Sequence, residues 1–142
     1  MTDVFSPKKR SEVMSAIRSK NTKPEIRVRS ELHRKGYRFR LHVKDLPGKP
    51  DLVLPRYCTA IQVRGCFWHG HTCSDGHLPK SRQEYWIPKL EKNKLRDSQR
   101  DTELRNLGWS VLVIWECECS EANIKKTIDR ITDHLEKQNT SV

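Results

Sequence analysis

The sequence predicts an α/β domain built on a mixed central β-sheet flanked by helices. Three observations carry this expectation. Trp109 to Trp115 (Trp-Ser-Val-Leu-Val-Ile-Trp) is an almost unbroken apolar, β-branched run and reads as a central strand. Residues 37–64 hold one alternating segment and two further strand-like runs, separated by turn residues. Helical patterns with start or stop signals lie before, between and after them, so the expected order is α-α-β-β-β-α-β-α.

The first helix is expected over 7–20. Ser11 can cap it, and Val13, Met14 and Ile17 share one face, which reads as core; a Met on a basic helix can also wedge against bases. Thr22-Lys23-Pro24-Glu25 is a capping box that starts a second helix, stopped near Gly36. Glu25, Val28 and Leu32 recur on its inner face. Tyr37, Phe39, Leu41 and Val43 alternate with polar residues, as one face of a half-buried strand does. A turn over 44–49 leads to a short strand opened by Pro50-Asp51, and Thr59 to Arg64 returns beside it. Ser81-Arg82-Gln83-Glu84 reads as another capping box, and Pro88 is expected to break or kink the helix it starts. The helix to Leu107 is mostly solvated and touches the core through Leu90, Leu95, Leu104 and Leu107; Gly108 ends it. Ser120 caps a last helix whose Ile124, Ile128, Ile131 and Leu135 form a core stripe.

A chain of 142 residues suits one domain over 1–142, with 1–22 as a basic arm and 23–142 as the core. No apolar run is long enough to span a membrane, and the N-terminus lacks a signal peptide's apolar stretch, so a cytoplasmic protein is expected. Five cysteines in that setting argue for metal and free thiols over disulfides. The net charge is +10, and residues 1–40 carry twelve Lys/Arg against four Asp/Glu. A polyanion, most simply nucleic acid, is the expected partner; a merely solvated surface is the alternative.

The chemistry concentrates in Ile61 to Cys73. Cys66, His71 and Cys73, with Cys117 beyond the last strand, offer thiolate and imidazole donors for a closed tetrahedral Zn²⁺ site, and Cys119 competes with Cys117 as the fourth ligand. His69 is one ligand too many for that site and becomes a candidate acid or base. Phe67 and Trp68 have little room to be core in a glycine-flanked loop and are candidates for stacking on or between bases, with Trp86 able to join them. Asp51 opens one strand of a hairpin while Gln62 and Arg64 share a side of the other. That layout places a hard oxygen ligand for Mg²⁺ near polar and cationic groups, as phosphodiester cleavage needs. Glu25 reads first as a helix cap; an inward carboxylate can also orient a base or a metal-bound water.

Pro47-Gly48-Lys49-Pro50-Asp51, Gly65-Cys66-Phe67-Trp68-His69-Gly70-His71, Asn93-x-x-Arg96-Asp97 and Gly108-Trp109 through Trp115-Glu116-Cys117 resemble the very-short-patch repair endonucleases, over nearly the whole chain. The resemblance implies a restriction-endonuclease-like fold of the PD-(D/E)xK superfamily. It implies nicking of one DNA strand 5′ of the thymine in a T:G mismatch, the product of 5-methylcytosine deamination. Asp51 and the backbone carbonyl of Val63 would hold catalytic Mg²⁺, His69 would be the general base, and Glu25 would support the site. Cys66, His71, Cys73 and Cys117 match the family's structural zinc ligands. Phe67, Trp68 and Trp86 match an aromatic wedge, with Met14 in the opposite groove, and Lys89 and Asn93 match positions that read the mismatch. Arg64 stays protonated, is a poor base, and is expected to steady the scissile phosphate. The family also implies functional links to a mismatch-repair protein and a cytosine-5 methyltransferase, and a monomer suffices to nick one strand. A restriction-type or broader endonuclease of the same fold, and a non-catalytic zinc-bearing DNA-binding module, are the competing readings.

Overall fold

The computed structural model describes residues 22–67, 71 and 80–140. The expected helix over 7–20, with Met14, and Trp68, His69 and Cys73 lie outside them. The described elements are α1 (Lys23–Arg34), β1 (Arg40–Leu41), β2 (Leu52–Leu54), β3 (Thr59–Arg64), α2 (Gln83–Asn106), β4 (Ser110–Trp115) and α3 (Ile124–Thr140). Short 3₁₀ turns come after β2 (Pro55–Tyr57) and β4 (Glu116–Cys119). The four strands form one mixed sheet in the order β1-β2-β3-β4. The first two pairings are antiparallel, and β3 pairs with β4 in parallel, Thr59 opposite Ser110 and Arg64 opposite Trp115.

Local chemistry sets most boundaries. Thr22 caps α1 by accepting from the Glu25 N–H, and Gly36 leaves the helix at φ +95°. Gly108, at φ +98°, ends α2. Pro88 lies inside α2, which runs unbroken through it: proline removes only the one bond to the Glu84 carbonyl, within the second turn. The expected Ser81 cap is replaced by Arg82, in the left-handed region at φ 57° and without a side-chain cap bond.

Both faces of the sheet are covered. Leu52, Leu54, Ile61 and Ile114 join Val28 and Leu32 of α1, Cys119, and Ile128, Ile131 and Leu135 of α3 in one core. The alternate residues of β3 turn the other way, where Arg64 reaches Asp101 of α2. Along α2 the expected apolar pattern is corrected. Leu90 and Leu104 are buried, Leu95 and Leu107 are exposed, and Asn93 and Asp101 take inner positions. The Trp109–Trp115 run is likewise not central: β4 ends the order of described strands and is mostly half-buried, while β2 and β3 are the inner strands.

The strand expected from Tyr37 to Val43 shrinks to Arg40–Leu41, both exposed. Tyr37 and Phe39 still pack against the core. His42 adopts φ 49° and gives its backbone N–H to the Asp51 carbonyl, which turns the chain out of the ladder. Gly48 (φ +74°) lies against α2: a Cβ there would sit 3.1 Å from both the Arg100 Cβ and the Gln62 amide. Gly48→Ala is therefore expected to cost about 1–2 kcal/mol in urea unfolding, from a disfavoured φ and a crowded contact with α2.

Candidate active site and metal centre

The turn at His42 brings three side chains from separate segments together. Glu25 projects inward from the first turn of α1 and is only 2% exposed. His42 Nε2 lies 2.8 Å from Glu25 Oε2, and Arg29, one helical turn along, donates to the same oxygen at 2.9 Å. Asp51 stands just before β2, and its Oδ2 accepts the Val63 N–H at 2.7 Å. Ligand atoms of Glu25, His42 and Asp51 all lie within 4.8 Å of one another. Burial pushes the Asp51 carboxyl up to about 7; the Val63 N–H and His42 oppose the shift, while the neighbouring Glu25 adds to it through charge and a shared hydrogen bond. A cation at this point would offset the cost of the half-buried Asp51 charge. The donor set fits a divalent ion.

His42 received no role in the sequence reading. The alternation placed it on the polar face of a strand, and only its left-handed backbone turns it to the carboxylates. Gln62 and Arg64, expected to meet Asp51, bond to other partners. The Gln62 amide donates to the Gly48 carbonyl at 3.3 Å. Arg64 Nη2 donates to Asp101 Oδ1 at 2.6 Å, with Asp97 4.0 Å from its Nε. Both lie on the α2 face of β3, whereas Glu25 comes from α1 on the other layer.

The second cluster sits at the ends of the parallel pair. Since Arg64 is opposite Trp115, Cys66 and Cys117 each stand two residues past their strand and emerge side by side. Cys66 is fully buried, His71 stacks on Trp115 at 4.2 Å, and His71 Nδ1 lies 3.6 Å from Cys117 Sγ. The three ligand atoms lie within 4.8 Å of one another, a thiol–imidazole set suited to tetrahedral Zn²⁺. Cys119 is not in this cluster: its thiol points to the Trp115 carbonyl within the core. Burial first, and then Glu118, push the Cys119 thiol up to about 12. Cys58 is exposed at the other end of the sheet. Iodoacetamide on the native protein is thus expected to modify Cys58 readily and Cys119 only after unfolding, because the thiolate is the reacting form. Peptide mass mapping reads the outcome, and early labelling of Cys119 would refute it.

A third group forms at the start of α2. Phe67 meets Trp86 edge-on at 5.1 Å, and Trp86 meets Tyr85 at 4.9 Å. Lys89 Nζ lies 5.3 Å from the Tyr85 ring and 5.9 Å from Trp86, and the Arg82 guanidinium is 4.9 Å from Tyr85. Tyr85, 43% exposed, was not singled out in the sequence, although its place next to Trp86 after a helix start was the available signal. Aromatic rings bordered by cations suit a nucleic-acid surface. Asn93 is buried and accepts from Arg96 at 2.9 Å. Among the described residues no helix is long and apolar enough to cross a membrane.

The family model described as "DNA mismatch endonuclease Vsr" matches residues 2–75. The chain is 52% identical to the Type II nicking enzyme V.XorIIP of Xanthomonas oryzae pv. oryzae, over 91% of this chain and 98% of that one. It is 45% identical to the Type II nicking enzyme V.NmeAIP of Neisseria meningitidis, over 95% and 97%. It is 39% identical to the DNA mismatch endonuclease Vsr of Escherichia coli, over 96% and 87%. A DNA-cleaving family, a carboxylate pair suited to a divalent ion and an aromatic–cationic surface agree with one another, and the chain belongs to the Vsr family of DNA endonucleases.

Proposed function

We propose that this endonuclease nicks one DNA strand 5′ of the thymine in a T:G mismatch, on a restriction-endonuclease-like core, in the bacterial cytoplasm. The observation that carries the reading is the meeting of the buried Glu25 carboxyl of α1 with the half-buried Asp51 carboxyl at the hairpin end. Asp51 and the Val63 carbonyl would hold Mg²⁺, which when bound supplies charge neutralisation and an acidified water. Glu25, fixed by Arg29 and His42, keeps a second carboxylate against the site. His69 accepts the proton of the attacking water. Arg64, whose plane Asp101 and the nearby Asp97 fix, steadies the scissile phosphate with its remaining guanidinium N–H groups. Cys66, His71, Cys73 and Cys117 would hold a structural Zn²⁺ that ties the active-site loop to the end of β4.

Phe67, Trp68 and Trp86 enter the stack beside the mismatch, Met14 acts from the opposite groove, and Lys89 and Asn93 read the wobble pair. Such a pair is weakly stacked and opens at low energy, so wedging selects it. One site cutting one strand needs only a monomer. The function links the enzyme to a mismatch-repair protein and to the cytosine-5 methyltransferase whose product deaminates to thymine. Similarity to proteins named Type II nicking enzymes supports a second reading, a nuclease that nicks in a wider or different context.

Two end-labelled duplexes, identical except for T:G against C:G, separate the readings in the presence of Mg²⁺. Nicking of the thymine strand in the mismatched duplex alone is the expected result. Equal cutting of both would favour the restriction-type reading, and tight, salt-sensitive binding of both without cutting would favour a non-catalytic module.

A further inference from the structure

We propose that His42 is a direct nitrogen ligand of the divalent ion, making the centre a Glu25–His42–Asp51 site that favours Mn²⁺ over Mg²⁺. The inference rests on the reading above that Asp51 holds the catalytic ion.

Four observations carry it. The imidazole nitrogen and both carboxylates converge within 4.8 Å. His42 Nε2 and Glu25 Oε2 are 2.8 Å apart, close to the roughly 3 Å that separates neighbouring donors around a six-coordinate ion at ordinary metal–ligand distances. The backbone places the ring: His42 stands at φ 49° with its N–H on the Asp51 carbonyl, so ring and carboxylate are positioned by one hairpin end. Residues held in this sparsely populated region recur at functional sites. Finally, Arg29 already lies on Glu25 Oε2 and offsets one of the two carboxylate charges. Attraction for a hard, oxygen-seeking ion is reduced, and the donor quality of the imidazole gains weight. Mg²⁺ keeps to oxygen donors and water, whereas Mn²⁺ accepts nitrogen, and preference for nitrogen grows along the transition series.

The test uses full-length, zinc-loaded protein and each ion alone. Asparagine tolerates the left-handed backbone, so His42→Asn removes the ring while keeping the turn; zinc content and the melting curve verify the fold. Mn²⁺ binding is read from loss of the free-ion EPR signal, Mg²⁺ by competition, and the ligand type from nitrogen coupling in pulsed EPR. Wild-type protein is expected to show imidazole nitrogen coupling to Mn²⁺. His42→Asn is expected to lose that coupling and weaken Mn²⁺ binding by about tenfold or more, with Mg²⁺ affinity changed by less than about threefold.

Absence of nitrogen coupling in the wild type would overturn the proposal without reference to any variant. Coupling that persists in His42→Asn would also overturn it, by assigning the nitrogen to another residue. Equal weakening of both ions would reduce His42 to a group that orients Glu25. Asp51→Asn serves as the control for the underlying reading and is expected to lose both ions. If it keeps both, Asp51 is not the ligand and the failure lies there, whatever His42 does.

Discussion

Asp51→Asn is expected to lower the rate of strand cleavage on the order of 10³-fold or more while leaving the protein folded. Asparagine has nearly the same shape, and its amide oxygen can still accept the Val63 N–H that Asp51 accepts at 2.7 Å. What it lacks is the negative charge a divalent ion needs. The same substitution is expected to stabilise the protein above neutral pH when no divalent ion is added. The sign comes from the raised pKa. In the fold the Asp51 carboxyl sits at about 7, well above its ordinary 3.8, mainly because burial penalises the charged form. The stability this protonated group carries is present below the unfolded value and is lost as pH rises through about 7. Calorimetry on zinc-loaded protein should therefore show wild type melting lower at pH 8 than at pH 6. Asp51→Asn should lack this contribution and exceed wild type at pH 8, by on the order of 1 kcal/mol. Wild-type cutting rates in the variant would remove Asp51 from the mechanism. An unchanged stability difference between the two pH values would show that the carboxyl is not held protonated.

If Cys66, His71, Cys73 and Cys117 hold the proposed Zn²⁺, Cys117→Ala is expected to lose stoichiometric zinc and several kcal/mol of stability, whereas Cys119→Ala should keep its zinc. The distinction rests on two residues of chain. Cys117 leaves β4 beside Cys66 and His71, while Cys119 turns into the core with Ile114 and Ile128. Losing a ligand would break the link of Cys66 and His71 to the end of β4, so cleavage should fall as well. Removal of zinc from the wild type with a strong chelator should reproduce the loss, and Cys119→Ala should be destabilised only as a core truncation, by about 2 kcal/mol. Zinc measured by elemental analysis beside the melting temperature decides it. Full zinc in Cys117→Ala, or its loss in Cys119→Ala, would reassign the ligand.

Much of the scaffold was legible because its signals are local. The Thr22 cap, the Gly36 and Gly108 stops, the bounds of β3 and the α3 stripe each depend on a few residues within one or two turns. The same locality explains what failed. Leu95 and Leu107 were placed toward the core, but both lie exposed, while Asp101 turns inward to hold Arg64. A leucine's burial is set by what lies opposite it, and no pattern within α2 contains that information. Proline disfavours helix interiors, so Pro88 reads as a break or a kink; the break does not occur, because a single lost bond near the helix start is tolerated in a 24-residue helix.

At the site, sequence alone singled out Glu25, Asp51, Cys66, His71 and the competing pair Cys117 and Cys119, since carboxylates, thiols and imidazoles are recognisable by type and spacing. The tertiary structure decided the partnerships. Parallel pairing of β3 with β4 brings Cys66 beside Cys117, across 50 intervening residues of chain that no spacing rule spans. The left-handed turn at His42 moves an apparent surface histidine onto Glu25, and the packing of α2 and of the turn at Gly48 gives Arg64 and Gln62 the partners Asp101 and Gly48 in place of Asp51. The physical reason is common to all three. Periodicity and capping report the conformation of a segment, whereas ligand sets and ion pairs depend on which segments the burial of the whole core forces together.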